Sequence, residues 1–239
     1  RIVSISAIIL TLLIIYIFPI SMDFYIRKSL LNNPEIILEV INLLQDQENE
    51  EKERSQLAIL EEIGDSLRNN SETPFIGNPN GDVTIIEFFD YKCVYCRQFY
   101  SQINSIIQND NGIRIVFYDL PILGPESTLA ARASIALSKL SPNNFIKFHS
   151  ALMEMRGTLT ETTIIQLAEE IGIDSDNLLL IMNDPEIDEI IQENIELALS
   201  IGINGTPGFI IGDKVIPGFI DVSEVLNLVK DTRENCKTC

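Results

Sequence analysis

The chain has 239 residues, with 17 Lys and Arg against 35 Asp and Glu, for a formal charge of −18. Such acidity excludes phosphate-backbone binding, which needs clustered cations, so no nucleic-acid partner is expected. A hydrophobic content of 46 % excludes wholesale disorder, and the length holds one large domain with room for a smaller appendage.

After Arg1, residues 2–20 (IVSISAIILTLLIIYIFPI) run 19 positions without a charge, enough to cross a bilayer as a helix and longer than a typical signal-peptide core. Only Ser4, Ser6 and Thr11 would supply a polar face, so a buried globular helix is a poor reading. Residues 1–20 are expected to export the chain, as a cleaved signal or as a retained inner-membrane anchor. The destination is the periplasm or another extracytoplasmic compartment, where disulfides form and persist.

Asn33-Pro34-Glu35 predicts a helix start, with Asn as cap, Pro in the first position and an acid in the first turn. The helix that follows is apolar around most of its circumference, at Ile36, Ile37, Leu38, Val40, Ile41, Leu43 and Leu44. One such helix cannot hide itself, so it must dock on the main domain or on copies of itself. Residues 45–54 (QDQENEEKER) contain no apolar side chain and read as an exposed helix or linker. Leu57, Leu60, Ile63, Gly64 and Leu67 then recur at near-helical spacing. A greasy helix set apart by a charged spacer favours self-association, so residues 21–70 are expected to be an oligomerisation stalk and linker.

From residue 77 the texture changes. A turn cluster over residues 77–82 precedes VTIIEFFD, a buried strand from Val83 to Asp90 interrupted by Glu87. The strand ends at Cys93-Val94-Tyr95-Cys96, and RQFYSQINSIIQ continues in helical pattern. A second strand is expected over residues 113–118, a helical block over residues 126–203, a hairpin from FIIG and KVIPG, and a closing helix over residues 221–231. This order is α/β with a long helical insertion rather than a doubly wound sheet.

A CxxC between a strand and a helix has a chemical consequence. The first Cys meets unpaired N–H groups and the positive end of the helix dipole, which lowers its pKa from about 8.5 into a range of roughly 3.5–7.5. The thiolate attacks disulfides, so Cys93 is the candidate nucleophile and should be reachable, while Cys96, one turn deeper, is the candidate resolving thiol. Val94 and Tyr95 present an apolar surface suited to unfolded clients. A zinc half-site is a poor reading because 139 residues separate this pair from Cys236 and Cys239.

EFFDYKCVYC, with six residues from Glu87 to Cys93, resembles the thioredoxin-fold DsbA family, as do PILGPESTLAARASIAL and NGTPGFIIGDKVIPG. These motifs lie in the family's order within residues 75–232. SLLNNPEIILEVINLL is similar to the N-terminal stalk of the ScsC-like branch. The resemblance implies a thioredoxin fold with a helical insertion preceded by a helical stalk, and, in that branch, exported trimeric disulfide isomerases. It places Glu87 at the buried acid beneath the active site, where a carboxyl of raised pKa can shuttle the proton that Cys96 must lose. It makes Pro207 cis and sets Thr206 beside Cys93, its backbone free to pair with an extended client.

His149, the chain's single His, shares helical spacing with Phe145 and Phe148 and reads as a packed core residue. The tail pair Cys236 and Cys239 of residues 233–239 is open between a surface disulfide, a second redox pair and a copper(I) site. No cofactor is called for and no metal site is assigned. The expected activity is disulfide isomerisation on unfolded or misoxidised proteins, with a membrane redox partner to reset the dithiol. The alternatives are a monomeric thiol oxidase and, third, a copper-sequestering protein.

Overall fold

A computed structural model describes residues 22, 24–70 and 72–237. The export segment, residues 2–20, and Cys239 lie outside the described residues. Among the described residues no helix is long and apolar enough to cross a membrane.

The chain divides into two compact units, Arg1–Arg54 and Ser55–Cys239. In the first, residues 24–32 are helical, and helix α1 (Glu35–Asn69) begins soon after. The Asn33 side chain, expected as the cap of α1, is tied to the preceding turn. Its Nδ2 donates back to the Ser29 carbonyl at 2.8 Å, because the preceding helical turn ends close enough to claim it. The Ile36 amide is taken by the Asn33 backbone carbonyl instead. Where an exposed spacer helix or linker was expected at residues 45–54, the helix continues unbroken. Ile36, Ile37, Leu38, Val40, Ile41, Leu43 and Leu44 are all exposed.

The second unit is built on a five-stranded sheet in the order β1-β3-β2-β4-β5, from β1 (Phe75–Gly77), β2 (Val83–Phe89), β3 (Ile113–Asp119), β4 (Gly208–Ile211) and β5 (Lys214–Pro217). Strands β2 and β3 are parallel, and the other pairings are antiparallel. The short edge strand β1 lies just before the turn cluster, where the sequence shows no strand pattern. Its three residues are too few to show a periodicity, and Phe75 is held across the sheet by pairing with Val116.

Alternation along β2 divides the core. Val83, Ile85 and Phe89 point to one face, where they meet helices α2 (Val94–Tyr100), α3 (Ile103–Asn109) and α9 (Val222–Asn235) together with most of the insertion. Ile86 and Phe88 point to the other, against Leu60, Ala198, Ile201 and Ile210. RQFYSQINSIIQ is two helices rather than one. The Gln102 amide bonds the Phe99 carbonyl at 2.8 Å, a tight turn that keeps Phe99, Ile103 and Ile106 all buried.

The insertion between β3 and β4 comprises α4 (Pro125–Leu140), a 3-10 turn (Pro142–Asn144), α5 (Phe145–Glu154), α6 (Glu161–Glu170), α7 (Ser175–Met182) and α8 (Pro185–Ser200). Thr160, Asp174 and Asp184 cap α6, α7 and α8 with their side chains. The C-terminal part of α1 lies on the second face, where the Tyr118 hydroxyl donates to the Leu67 carbonyl at 3.1 Å and Gln56 Nε2 donates to the Ile201 carbonyl at 2.7 Å.

Candidate active site

Strand β2 ends at Phe89, still buried in the core, and the next four residues, Asp90 to Cys93, turn the chain into α2. Asp90 organises this turn in three ways. Its Oδ1 accepts the Lys92 amide at 2.8 Å, its Oδ2 accepts the Leu123 amide at 3.0 Å, and its carbonyl accepts the Cys93 amide at 3.0 Å. An Asp whose side chain bonds the backbone two residues on is an Asx turn, and that much was open to a reading of DYK. The tie to Leu123 was not, because the two residues lie 33 positions apart.

Cys93 is the N-cap of α2, with φ −73° and ψ 118°. Its Sγ accepts the Cys96 amide at 3.4 Å, and as a thiol it donates to the Thr206 carbonyl at 3.2 Å. Both active-pair cysteines are free thiols. Hydrogen bonding from the Cys96 side chain, with further bonds from Thr206 and the amides of Cys96 and Tyr95, outweighs burial and brings the Cys93 thiol down to about 6. The neighbouring Cys96 thiol does most to lower it. Cys96 goes the other way. Burial pushes its thiol far above the usual range, with the Cys93 sulfur and Glu87 adding to the effect.

Cys93 is less open than its expected role suggested. It keeps 6 % exposure against none for Cys96, because the Thr206–Pro207 segment lies over it. The Thr206–Pro207 peptide is cis. Gly208 follows because a Cβ there would come within 2.5 Å of Ile203 Cγ2. Val94 and Tyr95, by contrast, are 73 % and 59 % exposed, and the Tyr95 ring stands 6.2 Å from that of Phe219. Ile122 and Leu123, which the sequence did not single out, add exposed apolar surface on the loop that Asp90 holds to the Cys93 turn.

Glu87 falls on the α2 face of β2 by alternation, paired in register with Phe117 and Phe209. It is 1 % exposed, its Oε1 has no hydrogen-bond partner, and burial followed by the nearby Cys93 charge raises its carboxyl well above the usual range. The structure thus brings Cys93, Cys96, Glu87 and Thr206 into one electrostatic group. Cys236 is disulfide-bonded. Among the described residues no group of three or more His, Cys, Asp or Glu could hold a metal ion.

A family model for DSBA-like thioredoxin domains matches residues 84–230. The chain belongs to the DsbA family. It is a thiol-disulfide oxidoreductase of the DsbA type, with the helical insertion and the long preceding helix described above. A thioredoxin-like oxidoreductase from Silicibacter pomeroyi is 39 % identical, superposes with a TM-score of 0.67, and is matched over 72 % of this chain and 98 % of its own. A linker-deletion mutant of ScsC from Proteus mirabilis is 27 % identical at a TM-score of 0.69, over 87 % of this chain and 92 % of its own. Disulfide bond formation protein D of Bacillus subtilis is 29 % identical over 167 residues, 66 % of this chain and 75 % of that protein.

Proposed function

We propose that this DsbA-family protein is an exported disulfide isomerase that acts on unfolded or misoxidised proteins through Cys93 and Cys96. The observation that carries the chemistry is the opposite titration of two thiols one helical turn apart. At neutral pH Cys93 is a thiolate and Cys96 a thiol.

The Cys93 thiolate attacks one sulfur of a client disulfide. A Cys93–client bond forms, and the other client sulfur leaves as a thiolate. In isomerisation that freed thiolate attacks elsewhere in the client, and the next exchange releases Cys93 with no net change in electrons. If the client stalls, Cys96 attacks Cys93, the Cys93–Cys96 disulfide forms, and the client departs reduced by two electrons. The second path needs Cys96 to lose its proton. Burial raises both Glu87 and Cys96, and bonding Cys93 to a client removes the negative charge that adds to that effect, which eases transfer of the Cys96 proton toward Glu87 at the step that requires it. Val94 and Tyr95 would hold apolar client side chains, and the backbone of Thr206 beside Pro207 would pair with an extended client strand.

The isomerase reading rests on the exposed apolar residues of α1 between Ile36 and Leu44, which suit association of several copies, a trimer being favoured by the ScsC-like stalk sequence. Joined catalytic units grip one unfolded client at several points, which favours reshuffling over a single oxidation. Export is supported by the uncharged residues 2–20 and by the disulfide at Cys236. A membrane redox partner would keep the pair reduced.

One observation favours the oxidase alternative. A thiolate stabilised at about 6 stabilises the reduced pair and makes its disulfide oxidising. The test sets refolding of scrambled ribonuclease against oxidation of reduced ribonuclease, for the parent and Cys93→Ala. Scrambled-substrate activity that vanishes in Cys93→Ala is expected. Oxidation without reshuffling would favour the oxidase, and activity surviving Cys93→Ala would defeat both.

A further inference from the structure

We propose that Tyr91 is a positioning residue, through which the helical insertion sets the geometry of the Cys93 turn by a buried hydrogen-bond chain running His149–Tyr91–Ser134–Asp119. The inference deepens the dithiol reading of the site and rests on it.

The chain spans three elements. The Tyr91 hydroxyl lies 2.9 Å from His149 Nδ1 on α5 and 2.9 Å from Ser134 Oγ on α4, and Ser134 Oγ lies 3.2 Å from Asp119 Oδ2 at the end of β3. All four residues are buried, with His149 and Ser134 fully so. The His149 ring is walled by Phe89, Tyr100, Phe117 and Phe145, with centroids 4.5–5.4 Å away. A buried tyrosine hydroxyl inside so apolar a shell is costly unless every link is made.

Counting protons orients the chain. Burial lowers His149 to about 3, so the ring is neutral and carries one N–H. His149 Nε2 has no partner. A buried bare acceptor costs less than a stranded donor, so the proton belongs on Nδ1. His149 Nδ1–H then donates to the Tyr91 oxygen, Tyr91 O–H donates to Ser134, and Ser134 O–H donates to Asp119. The titratable groups that face Tyr91 are His149, Tyr100, Asp119 and Glu87, and burial with these acidic neighbours raises its phenol well above the usual range, so the hydroxyl keeps its proton.

The effect reaches the sulfur through the backbone. The Tyr91 carbonyl accepts Arg97 Nε at 2.8 Å, and Arg97 Nη1 donates to the Met155 carbonyl at 2.8 Å. Arg97 directly follows Cys96 in the first turns of α2. A loosened Tyr91 therefore releases the helix start whose Cys96 amide faces Cys93 Sγ across 3.4 Å. That contact is long already, and lengthening it weakens the thiolate.

The test follows the pH dependence of Cys93 alkylation by iodoacetamide, read by mass spectrometry on the reduced full chain. Tyr91→Phe keeps the ring and removes the hydroxyl. Its midpoint should rise by about one unit, so that alkylation at pH 5 slows about tenfold. Ser134→Ala breaks the chain one hydrogen bond beyond Tyr91 and leaves the Tyr91 hydroxyl its His149 partner, so a smaller shift in the same direction is expected. Should Tyr91→Phe fail to fold, Ser134→Ala carries the test. A parent midpoint near 6 that Ser134→Ala leaves in place overturns the chain, and one that neither variant moves makes Tyr91 a core filler whatever happens to Tm. A parent that titrates like free cysteine overturns the dithiol reading itself, which is a different result.

Discussion

Two sulfur atoms one helical turn apart titrate in opposite directions because one caps a helix at the rim of the core and the other lies inside it. This asymmetry has a measurable pH signature. Between about pH 6 and the far higher Cys96 value the reduced pair holds a single titratable proton, so reduction takes up one proton per two electrons. The midpoint potential should fall by about 30 mV per pH unit in that window and about twice as steeply below it. Stability follows the same group. The Cys93 pKa is depressed on folding, so its contribution is present above the unfolded value near 8.5 and is lost as pH falls through about 6. The Tm of the reduced protein should therefore gain on that of the oxidised protein from pH 6 to 9. Glu87 has the opposite sign. Its folded pKa is raised, so its contribution is complete below the unfolded value near 4.5 and lost as pH rises through the folded one. Glu87→Gln should match the parent at pH 4, exceed it in stability at pH 8, and slow release of a trapped Cys93–client mixed disulfide about tenfold or more.

Helix α9 is fastened to the sheet by an arrangement that no single segment displays. Arg233 near its C-terminus donates to both carboxylate oxygens of Asp82, through Nε at 2.7 Å and Nη2 at 2.8 Å, and to both of Asp110, through Nη1 at 2.6 Å and Nη2 at 3.0 Å. These acids sit in the turns before β2 and β3, and each is held below the usual carboxylate range by the Arg233 side chain. The fork is partly exposed, which limits its value to about 1 kcal/mol, or roughly 2–4 °C in Tm. Arg233→Lys keeps the charge and loses the double fork, so most of that loss should remain, and thermal melts at low and high salt will show it shrinking as ions screen the pair.

Across the whole molecule, the isomerase proposal turns on the exposed apolar residues of α1. Ile37, Ile41 and Leu44 fall on one stripe at i, i+4, i+7 spacing. The triple change Ile37→Glu, Ile41→Glu, Leu44→Glu should convert an oligomer to a monomer by light scattering. It should cut reshuffling of scrambled ribonuclease severalfold while leaving the alkylation midpoint of Cys93 unmoved, since the stripe belongs to the other compact unit. A parent that is already monomeric would remove the reason to prefer isomerisation over oxidation.

The strand, the CxxC and the helix after it were legible in VTIIEFFDYKCVYC, because period-two alternation and a cysteine at a helix start are local properties. Glu87 stood out for the same reason, as one acid in an apolar run. What the pattern left hidden was every partner supplied from a distance: Leu123 for Asp90, Ser134 and His149 for Tyr91, Met155 for Arg97. Local sequence specifies which groups must be buried or ionised, but a buried polar atom is satisfied only by whatever the fold carries to it. The local CxxC motif therefore determined the reaction type, whereas only the tertiary structure supplied the distant partners of Asp90, Tyr91 and Arg97 around it.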